Sequence, residues 1–301
     1  MKKIELQGTY TALITPFSQD ALQVNEDSLK KLIHRQLEEG IDGLLILGST
    51  GEAPTLSRKE QDRVISLTVN EVNRRVPVMV GTGNYSTEQT ILNTKRAEEL
   101  GADMALIVTP YYNKPTPEGI FRHFKAIAKS SSLPIIIYNT QGRTGKNINP
   151  PLLKRLSEIK EIIAIKDCSE NIDQMMDFIN LVVKERPDFK VLSGDDSMTL
   201  PLIALGGHGI ISVASNLIVK PLVKMVYAAL NGDFNSARSI HYELLPLFRA
   251  LFIETNPIPI KTIMDLCGYH AGPLRLPLCE MSEENTSALQ NVLKNLKMKI
   301  L

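Results

Sequence analysis

The sequence has few of the residues that mark several protein classes. It has no tryptophan, 5% aromatic residues, three cysteines and a formal net charge of +1. The near-balance of charge, with no basic run interleaved with aromatics, argues against a nucleic-acid partner. The three cysteines, Cys168, Cys267 and Cys279, form no C-x-x-C pair, which argues against a disulfide framework and suits a reducing compartment.

The sequence also lacks a long apolar run and a cluster of metal ligands. The N-terminal stretch "MKKIELQGTYTALITPF" has two lysines, but its apolar part is short and is broken by threonines and a proline. It therefore matches neither a signal peptide nor a membrane span, and we expect a cytoplasmic protein with no membrane partner. The five histidines stand singly, without H-x-H or H-E-x-x-H spacing, so we expect no metal site.

The main pattern that is present is an alternation of short apolar runs with helix-like stretches, which is typical of parallel strands joined by helical crossovers. Most runs are apolar at nearly every position, as expected for strands covered on both faces. Eight units in about 230 residues predict an α/β fold, a (β/α)8 TIM barrel at residues 1–230, with a C-terminal helical region at residues 231–301. The runs are "TYTALIT" (9–15), "DGLLILG" (42–48), "PVMVGTG" (77–83), "ADMALIVT" (102–109), "LPIIIYN" (133–139), "IIAIKD" (162–167), "KVLSGD" (190–195) and "GIISV" (209–213).

A doubly wound open sheet also alternates strands with helices and is the alternative fold. Such sheets commonly carry a glycine-rich phosphate-binding turn. Here no G-x-G-x-x-G follows the first apolar run, and no G-x-x-x-x-G-K-[ST] occurs anywhere. These absences favour the barrel and weaken a nucleotide-binding interpretation.

Helix boundaries are indicated by capping residues. Residues 57–73 begin with serine and have glutamate three positions later, which is a capping-box pattern. Residues 86–100 begin similarly, and Gly101 follows them as a helix C-cap. Beyond the barrel, three stretches are predicted to be helical: "DFNSARSIHYELLPLFRALF", "PIPIKTIMDLCG" and "SEENTSALQNVLKNLKMKI".

Lys166 ends an otherwise apolar run in "EIIAIKDCSEN". One interpretation is that the strand ends at Ile165 and the lysine side chain reaches back to solvent. The alternative is a desolvated lysine whose neutral amine is favoured and condenses with a carbonyl to form a Schiff base. Such chemistry needs a proton shuttle but no metal or organic cofactor. Tyr138, at the end of the preceding strand, is suitably located for that role, although alone it also fits a core tyrosine.

The turn "GSTGE" at residues 48–52 has two interpretations. Gly48 and Gly51 permit a tight turn, with Glu52 as a helix cap. Alternatively, backbone N–H groups and the Ser49 and Thr50 hydroxyls form a cradle for a small carboxylate. Because catalytic groups of a barrel lie at the C-terminal ends of its strands, the second interpretation gains weight from the position of this turn.

Two further polar stretches follow predicted strands. Tyr111 and Tyr112 are adjacent, so we expect them to point to opposite sides and at most one of them to serve a given pocket. Arg143 lies in a short polar loop and, taken alone, is a solvated surface arginine.

Together these stretches resemble the pyruvate-dependent class I aldolase family, which includes N-acetylneuraminate lyase, and within it the dihydrodipicolinate synthase branch. The resemblance runs along almost the whole chain. It implies a barrel fold, a homotetramer built as a dimer of dimers, and a Schiff-base condensation of pyruvate with L-aspartate 4-semialdehyde in the diaminopimelate route to lysine. The motifs are "TALITPF", "GSTGE", "VTPYYNKPTPEGIFRHFKAIA", "YNTQGRTG", "IIAIKD", "LSGDD", "GGHGIISV", "NPIPIK" and "LRLPL".

The resemblance also implies roles for individual catalytic residues. Lys166 forms the Schiff base with pyruvate, and Tyr138 is the general acid and base above it. Thr50 and Tyr112 complete a proton relay, with Tyr112 reaching into the site of a neighbouring subunit. Ser49 and Thr50 hold the pyruvate carboxylate.

Further residues are implied to surround the substrates. Gly194 and Ile211 supply backbone, and Arg143 binds the carboxylate of the semialdehyde. A guanidinium suits a carboxylate better than the polyhydroxylated chain accepted by sugar-acid aldolases, so Arg143 favours the synthase branch. The chain departs from the family at Gln141, where a proline is common, and the following Gly142 predicts a looser loop around Arg143.

The resemblance bears on regulation as well. In branches inhibited by L-lysine, a cleft at the dimer interface carries histidine, asparagine and glutamate, whereas this chain has Arg58, Gln61, Tyr85 and Gln89. The lost carboxylate and the added cation predict weak or absent inhibition by lysine.

Two other functions remain open on the sequence. One is a related aldolase that cleaves N-acetylneuraminate or a sugar acid to pyruvate. The other is a barrel that binds a small carboxylate as a sensor without turnover, against which the presence of Lys166, Tyr138 and Thr50 argues.

Overall fold

The computed structural model describes residues 6–298 and contains a closed barrel of eight parallel strands in chain order. This confirms the predicted (β/α)8 fold, and each predicted apolar run coincides with one strand, although β1 begins one residue before its run. The strands are β1 (Gly8–Ala12), β2 (Gly43–Ile46), β3 (Val78–Gly81), β4 (Met104–Val108), β5 (Ile135–Asn139), β6 (Ile162–Asp167), β7 (Lys190–Ser193) and β8 (Gly209–Ser212).

Helices surround the barrel and follow its strands. Those of the barrel itself are α1 (Glu26–Glu38), α2 (Arg58–Val72), α3 (Thr87–Glu99), α4 (Pro117–Ala128), α5 (Gln141–Thr144), α6 (Pro150–Ser157), α7 (Ile172–Phe178), α8 (Thr199–Ala204) and α9 (Val219–Leu230). A π-helical stretch, Ile179–Val183, continues α7, and short 3₁₀ turns lie at Ala53–Thr55 and Ala214–Asn216.

The capping patterns in the sequence correspond to real helix ends. Ser57 caps α2, and the reciprocal capping-box bond from Glu60 is present. Ser86 caps α3 by accepting a hydrogen bond from the Gln89 N–H. Gly101 follows the end of α3 with a φ of +91°, a left-handed conformation that favours glycine.

Three helices follow the barrel: α10 (Phe234–Ala250), α11 (Ile258–Leu266) and α12 (Glu283–Asn295). They lie within the three stretches predicted to be helical, and α10 packs against both α9 and α12. The predicted boundary between residues 230 and 231 falls between α9 and α10. The outer ends of the two predicted regions, residues 1 and 301, lie outside the described residues. None of the helices between residues 6 and 298 combines the length and apolar character needed to cross a membrane.

Apolar side chains form two layers, one between strands and helices and one inside the barrel. Strand β5 supplies both layers, because successive side chains of a strand point to opposite faces. Its Ile135 and Ile137 pack in the outer layer, and its Ile136 and Tyr138 pack in the barrel interior. Both faces of the strands are therefore buried, which explains their nearly continuous apolar sequences.

A β-bulge interrupts the pairing of β5 with β6. Ile135 pairs with Ile162, but Ile136 pairs with Ala164, so that Ile163 is an extra residue on β6. Beyond the bulge, Tyr138 pairs with Lys166. A bulge of one residue resets which side chains face inward, because the side-chain period of a strand is two.

Arg275 joins the segment between α11 and α12 to the beginning of α2. Its guanidinium donates to both carboxylate oxygens of Glu60 and to the backbone oxygens of Ala21, Leu22 and Thr55. The bonds from Arg275, together with those from Ser57, lower the pKa of Glu60 from an ordinary value of 4.5 to about 2. Glu60 and Arg275 are both largely buried, so solvent screens this pair less than it screens a surface pair.

We predict that Glu60→Gln lowers the free energy of unfolding by about 3 kcal/mol at pH 7. The pKa of Glu60 is lower in the folded state than in the unfolded state. Its contribution is therefore complete above about pH 4.5 and is lost as the pH falls toward about 2. Urea unfolding across that pH range, at fixed protein concentration, measures the difference between wild type and variant.

Glu26→Gln is the matched control, since Glu26 forms a similar two-bond pair with Arg63 at an exposed position. Its loss should be the smaller of the two. An equal loss in both variants, or a Glu60→Gln effect that persists unchanged at acid pH, would contradict the prediction.

Candidate active site

Lys166 points into the barrel near the end of β6. Its side chain is 5% exposed, and β6 continues through Asp167, so the interpretation in which the lysine reaches back to solvent is wrong. Burial lowers the pKa of Lys166, and the Arg143 cation lowers it further, while Cys168 and Asp196 act in the opposite direction. The net direction favours the neutral amine, which is the nucleophilic form.

Tyr138 lies beside this amine on the neighbouring strand. The two residues are register partners, and Lys166 Nζ lies 4.4 Å from the centroid of the Tyr138 ring. The phenol is 8% exposed, and burial raises its pKa. The Cys168 side chain also acts to raise the pKa of both the phenol and the Lys166 amine. Tyr138 therefore holds its proton at neutral pH next to an amine whose pKa is lowered by burial.

Gly194 leaves space for both Lys166 and Cys168. A Cβ atom at this position would lie 2.2 Å from Cys168 Sγ and 2.7 Å from Lys166 Cε. Glycine is thus required here by close packing and not by backbone conformation. Burial raises the pKa of Cys168 to about 12, so the thiol is neutral.

The 48–52 turn closes on itself through two backbone bonds. The Gly51 N–H donates to the Gly48 oxygen at 3.1 Å, and the Glu52 N–H donates to the Ser49 oxygen at 3.2 Å. By contrast, the backbone N–H groups of Ser49 and Thr50 donate to no group within residues 6–298. Two adjacent backbone donors and two hydroxyls are suited to a carboxylate.

Glu52 has a different role from the helix cap considered from the sequence. Its side chain makes no capping bond and forms a buried ion pair with Lys261, with 2.7 Å between Oε1 and Nζ. Lys261 also donates to the backbone oxygens of Thr15 and Pro273, and the Arg275 N–H donates to the second Glu52 oxygen. Hydrogen bonds thus satisfy both buried charges, as a stable buried pair requires.

Asn256 connects two of the predicted site residues. Its Nδ2 donates to Thr50 Oγ1 at 2.9 Å, and its backbone oxygen accepts a hydrogen bond from Arg143 Nη2, also at 2.9 Å. Neither Asn256 nor Lys261 was assigned a role from the sequence, although both belong to "NPIPIK". A lone asparagine and a lone lysine give no local signal of partners in distant parts of the chain.

The Arg143 loop is more regular than the sequence predicted. Residues Gln141–Thr144 form a single helical turn, α5, closed by Gly145 with a φ of +65°. The Thr144 hydroxyl donates to the Thr140 oxygen, and the Gly145 N–H donates to the Gln141 oxygen. Gln141 and Gly142 do not prevent an ordered turn, because the groups that donate its hydrogen bonds belong to Thr144 and Gly145.

Six predicted site residues line one cavity of about 450 Å³: Ser49, Thr50, Tyr138, Arg143, Lys166 and Gly194. A second cavity of about 580 Å³ shares Ser49, Tyr138 and Arg143 with it and is also lined by Tyr111. Tyr112 lines neither cavity; it is 88% exposed, which agrees with the expectation that the two tyrosines point to opposite sides. Ile211 packs in the barrel interior with Tyr138.

Comparison with known proteins identifies the relatives of this chain. The model of the dihydrodipicolinate synthetase family matches residues 5–296. A curated 4-hydroxy-tetrahydrodipicolinate synthase from Protochlamydia amoebophila is 53% identical over 291 residues, which cover 97% of each chain.

Two solved structures are similar along their full length. A dihydrodipicolinate synthase from Acinetobacter baumannii, described as chloride inhibited and complexed with pyruvate, is 38% identical with a TM-score of 0.95, over 98% of this chain and 100% of that one. One from Cyanidioschyzon merolae with lysine bound is 36% identical with a TM-score of 0.95, over 99% and 100%. The match covers nearly the whole chain in both sequence and structure, and the chain belongs to the dihydrodipicolinate synthetase family.

Proposed function

We propose that this chain is an enzyme that condenses pyruvate with L-aspartate 4-semialdehyde through a Schiff base on Lys166. The observation that carries the proposal is the buried amine of Lys166, with its lowered pKa, beside the protonated phenol of Tyr138 in a cavity that also contains Arg143. The curated relative named a 4-hydroxy-tetrahydrodipicolinate synthase supports the same reaction. The product enters the diaminopimelate route to lysine.

Pyruvate binds first in this mechanism, with its carboxylate in the 48–52 turn. The Ser49 and Thr50 N–H groups, which have no partner within residues 6–298, supply the donors. The A. baumannii relative, described as complexed with pyruvate, supports this ligand. Lys166 Nζ then attacks the pyruvate ketone carbon, and loss of water gives the iminium.

Tyr138 moves the protons that these steps require. Formation of the carbinolamine places a proton on oxygen, and its dehydration expels that oxygen as water. A phenol that holds its proton is an effective donor at both points. Tyr138, left deprotonated by the dehydration, accepts a methyl proton from the iminium, which gives an enamine. The enamine carbon then attacks the aldehyde of the second substrate, and Tyr138 returns that proton to the aldehyde oxygen.

Arg143 binds the carboxylate of the semialdehyde. Its Nη2 is bonded to Asn256, which leaves the other N–H groups of the guanidinium for a ligand. A planar guanidinium pairs with a carboxylate through two parallel bonds and so fixes the orientation of the aldehyde.

A hydroxyl and a second tyrosine complete the proton relay. The resemblance gave the hydroxyl role to Thr50, whose oxygen is bonded to Asn256 and whose side chain is buried. Ser49 is more exposed and lines both cavities, so it is a second candidate for this role. Tyr112 serves a neighbouring subunit, and its exposed ring supports that assignment. Gly194 and Ile211 supply backbone around the bound substrate.

The proposal includes assembly and location. The chain forms a homotetramer built as a dimer of dimers, in which Tyr112 crosses one interface. Its barrel at residues 1–230 and helical region at 231–301 act together in catalysis. All three cysteines are free, which supports a cytoplasmic location.

A related aldolase that cleaves N-acetylneuraminate is the second candidate, because it would share Lys166 and Tyr138. Arg143 favours the synthase. Purified enzyme offered either pyruvate with aspartate semialdehyde or N-acetylneuraminate in coupled assays should turn over only the first. Turnover of N-acetylneuraminate at a comparable rate would overturn the proposed reaction.

We predict that borohydride added with pyruvate reduces a covalent adduct on Lys166. Peptide mass spectrometry should locate the mass increase on the peptide that contains Lys166, and Lys166→Ala should abolish it. Lys190→Ala, at the beginning of the next strand, is the control and should leave the adduct intact. An adduct on another lysine would refute the assignment, and no adduct at all would indicate a binding protein without turnover.

We predict that Arg143→Ala lowers kcat/KM for the semialdehyde by about 10²-fold or more, because the aldehyde loses its orientation. Pyruvate trapping on Lys166 should persist, since the pyruvate donors lie in another turn. Steady-state kinetics with both substrates and the borohydride assay test the two parts. Loss of trapping in this variant would mean that Arg143 supports the structure of the cavity instead.

We predict weak or absent inhibition by L-lysine. The C. merolae relative was solved with lysine bound. In this chain, the side chains of Arg58, Gln61 and Gln89 contain no carboxylate that could pair with an ammonium group. Arg58 and Gln89 both bond to Asn93, and Gln61 donates to the backbone oxygens of Ala53 and Leu56. Half-inhibition of the purified enzyme at sub-millimolar L-lysine would contradict this prediction.

A further inference from the structure

We propose that Asn256 is a positioning residue that fixes the two carboxylate-binding parts of the site, Thr50 and Arg143, relative to each other. The inference rests on the proposed function, because it assumes that the two parts bind different substrates. It adds a residue from the connection between α10 and α11 to a site otherwise built by the barrel.

Asn256 contacts one site residue through its side chain and another through its backbone. Its side-chain amide donates to Thr50 Oγ1 and its backbone oxygen accepts from Arg143 Nη2, each over 2.9 Å. The residue is 5% exposed and lines the same cavity as both partners. Arg143 itself is exposed, so this bond is what ties its guanidinium to a buried part of the molecule.

The segment around Asn256 is held in place by an independent contact. Lys261, on α11, forms the buried ion pair with Glu52 and donates to the Thr15 oxygen. The 48–52 turn and the segment 256–261 are therefore joined at two points, through Thr50 and through Glu52. Because the segment that contains Asn256 is held against the 48–52 turn, the bond from its backbone oxygen holds the Arg143 guanidinium in place relative to that turn.

These bonds leave the ligand-binding atoms of both partners available. The Thr50 oxygen accepts from Asn256, so its single hydroxyl proton is free to be donated to the pyruvate carboxylate. Only Nη2 of Arg143 is bonded to Asn256, so this bond leaves the other N–H groups of the guanidinium available to a carboxylate ligand. The distance between the two carboxylate sites must match the distance between the reacting carbons, and an error of about 1 Å costs about 10²-fold in rate.

Stability alone does not explain this asparagine. Its Oδ1 atom is buried and has no hydrogen-bond partner within residues 6–298. A buried acceptor without a partner costs stability, and residues that break such a rule are commonly found at functional sites. The side chain is therefore held for the bond that its Nδ2 makes.

Two double-mutant cycles test the proposal. Asn256→Ala should lower kcat/KM for pyruvate and kcat/KM for the semialdehyde, each by about 10-fold to 100-fold. If Asn256 acts through its partners, its effect on pyruvate should largely disappear in a Thr50→Val background, and its effect on the semialdehyde should largely disappear in an Arg143→Ala background. Additive effects in both cycles would overturn the proposal.

Asn285→Ala is the matched control. Asn285 donates its side-chain amide to Glu254, two residues before Asn256, so this change removes a bond of the same kind from the same connection. It should leave both kcat/KM values near those of wild type. A loss equal to that of Asn256→Ala would mean that the connection is simply loosened, and would overturn the specific role of Asn256.

Asn256→Asp keeps the test decisive if the alanine variant folds poorly, as judged by circular dichroism. The aspartate has the same shape, and the Thr50 hydroxyl can donate to it, so the variant should fold. Because that bond consumes the Thr50 proton and the new carboxylate repels that of pyruvate, kcat/KM for pyruvate should fall by about 10-fold or more while kcat/KM for the semialdehyde falls less. A wild-type value for pyruvate would contradict the proposal.

Failure of the proposed function gives a different result. In that case the wild-type enzyme would not condense pyruvate with the semialdehyde at all. Active wild type with additive cycles would refute only the role of Asn256.

Discussion

The site depends on one irregularity in the barrel, the extra residue Ile163 in β6. Along a regular strand that begins with Ile162 facing the outer layer, Lys166 would also face outward, toward the helices. The bulge adds one residue, so Ala164 and Lys166 face inward while Ile162 and Ile165 pack outside. It also makes Lys166 the register partner of Tyr138. A single inserted position thus decides whether the amine meets a phenol or a hydrophobic layer.

Burial then sets the protonation of both residues. Removal from water disfavours the charged form of each, so it lowers the pKa of Lys166 and raises that of Tyr138. One cause therefore favours both the neutral amine and the neutral phenol, which are a nucleophile and a proton donor. In the proposed reaction, the iminium cation on Lys166 would lie near the Tyr138 ring, whose centroid is 4.4 Å from Nζ, and this contact would offset part of the cost of burying the charge.

The sequence predicted the barrel and most of the cavity, for physical reasons that are local. Continuous apolar runs indicate strands buried on both faces, and the polar residues that follow them meet at one end of the barrel. Lys166 and Tyr138 were found in this way. The sequence did not predict the bulge, because the "IIAI" part of β6 is apolar in either register, and it did not predict the ion pair of Glu52, for which a helix cap was one of the interpretations considered. The partners of Thr50, Glu52 and Arg143 come from distant segments, and single polar residues there carry no local pattern.

The contacts from residues 256–275 bear on the order in which the molecule is completed. A growing chain that has reached the end of α9 already contains all eight strands, with Lys166 and Tyr138. It still lacks Asn256, Lys261 and Arg275, which hold Thr50, Arg143, Glu52 and Glu60. Until those segments emerge and dock, the carboxyl of Glu52 has no cation to accompany it into the interior. The complete site therefore needs segments that are synthesised after the whole barrel, and a barrel that ends at α9 lacks the partners of Thr50, Arg143, Glu52 and Glu60.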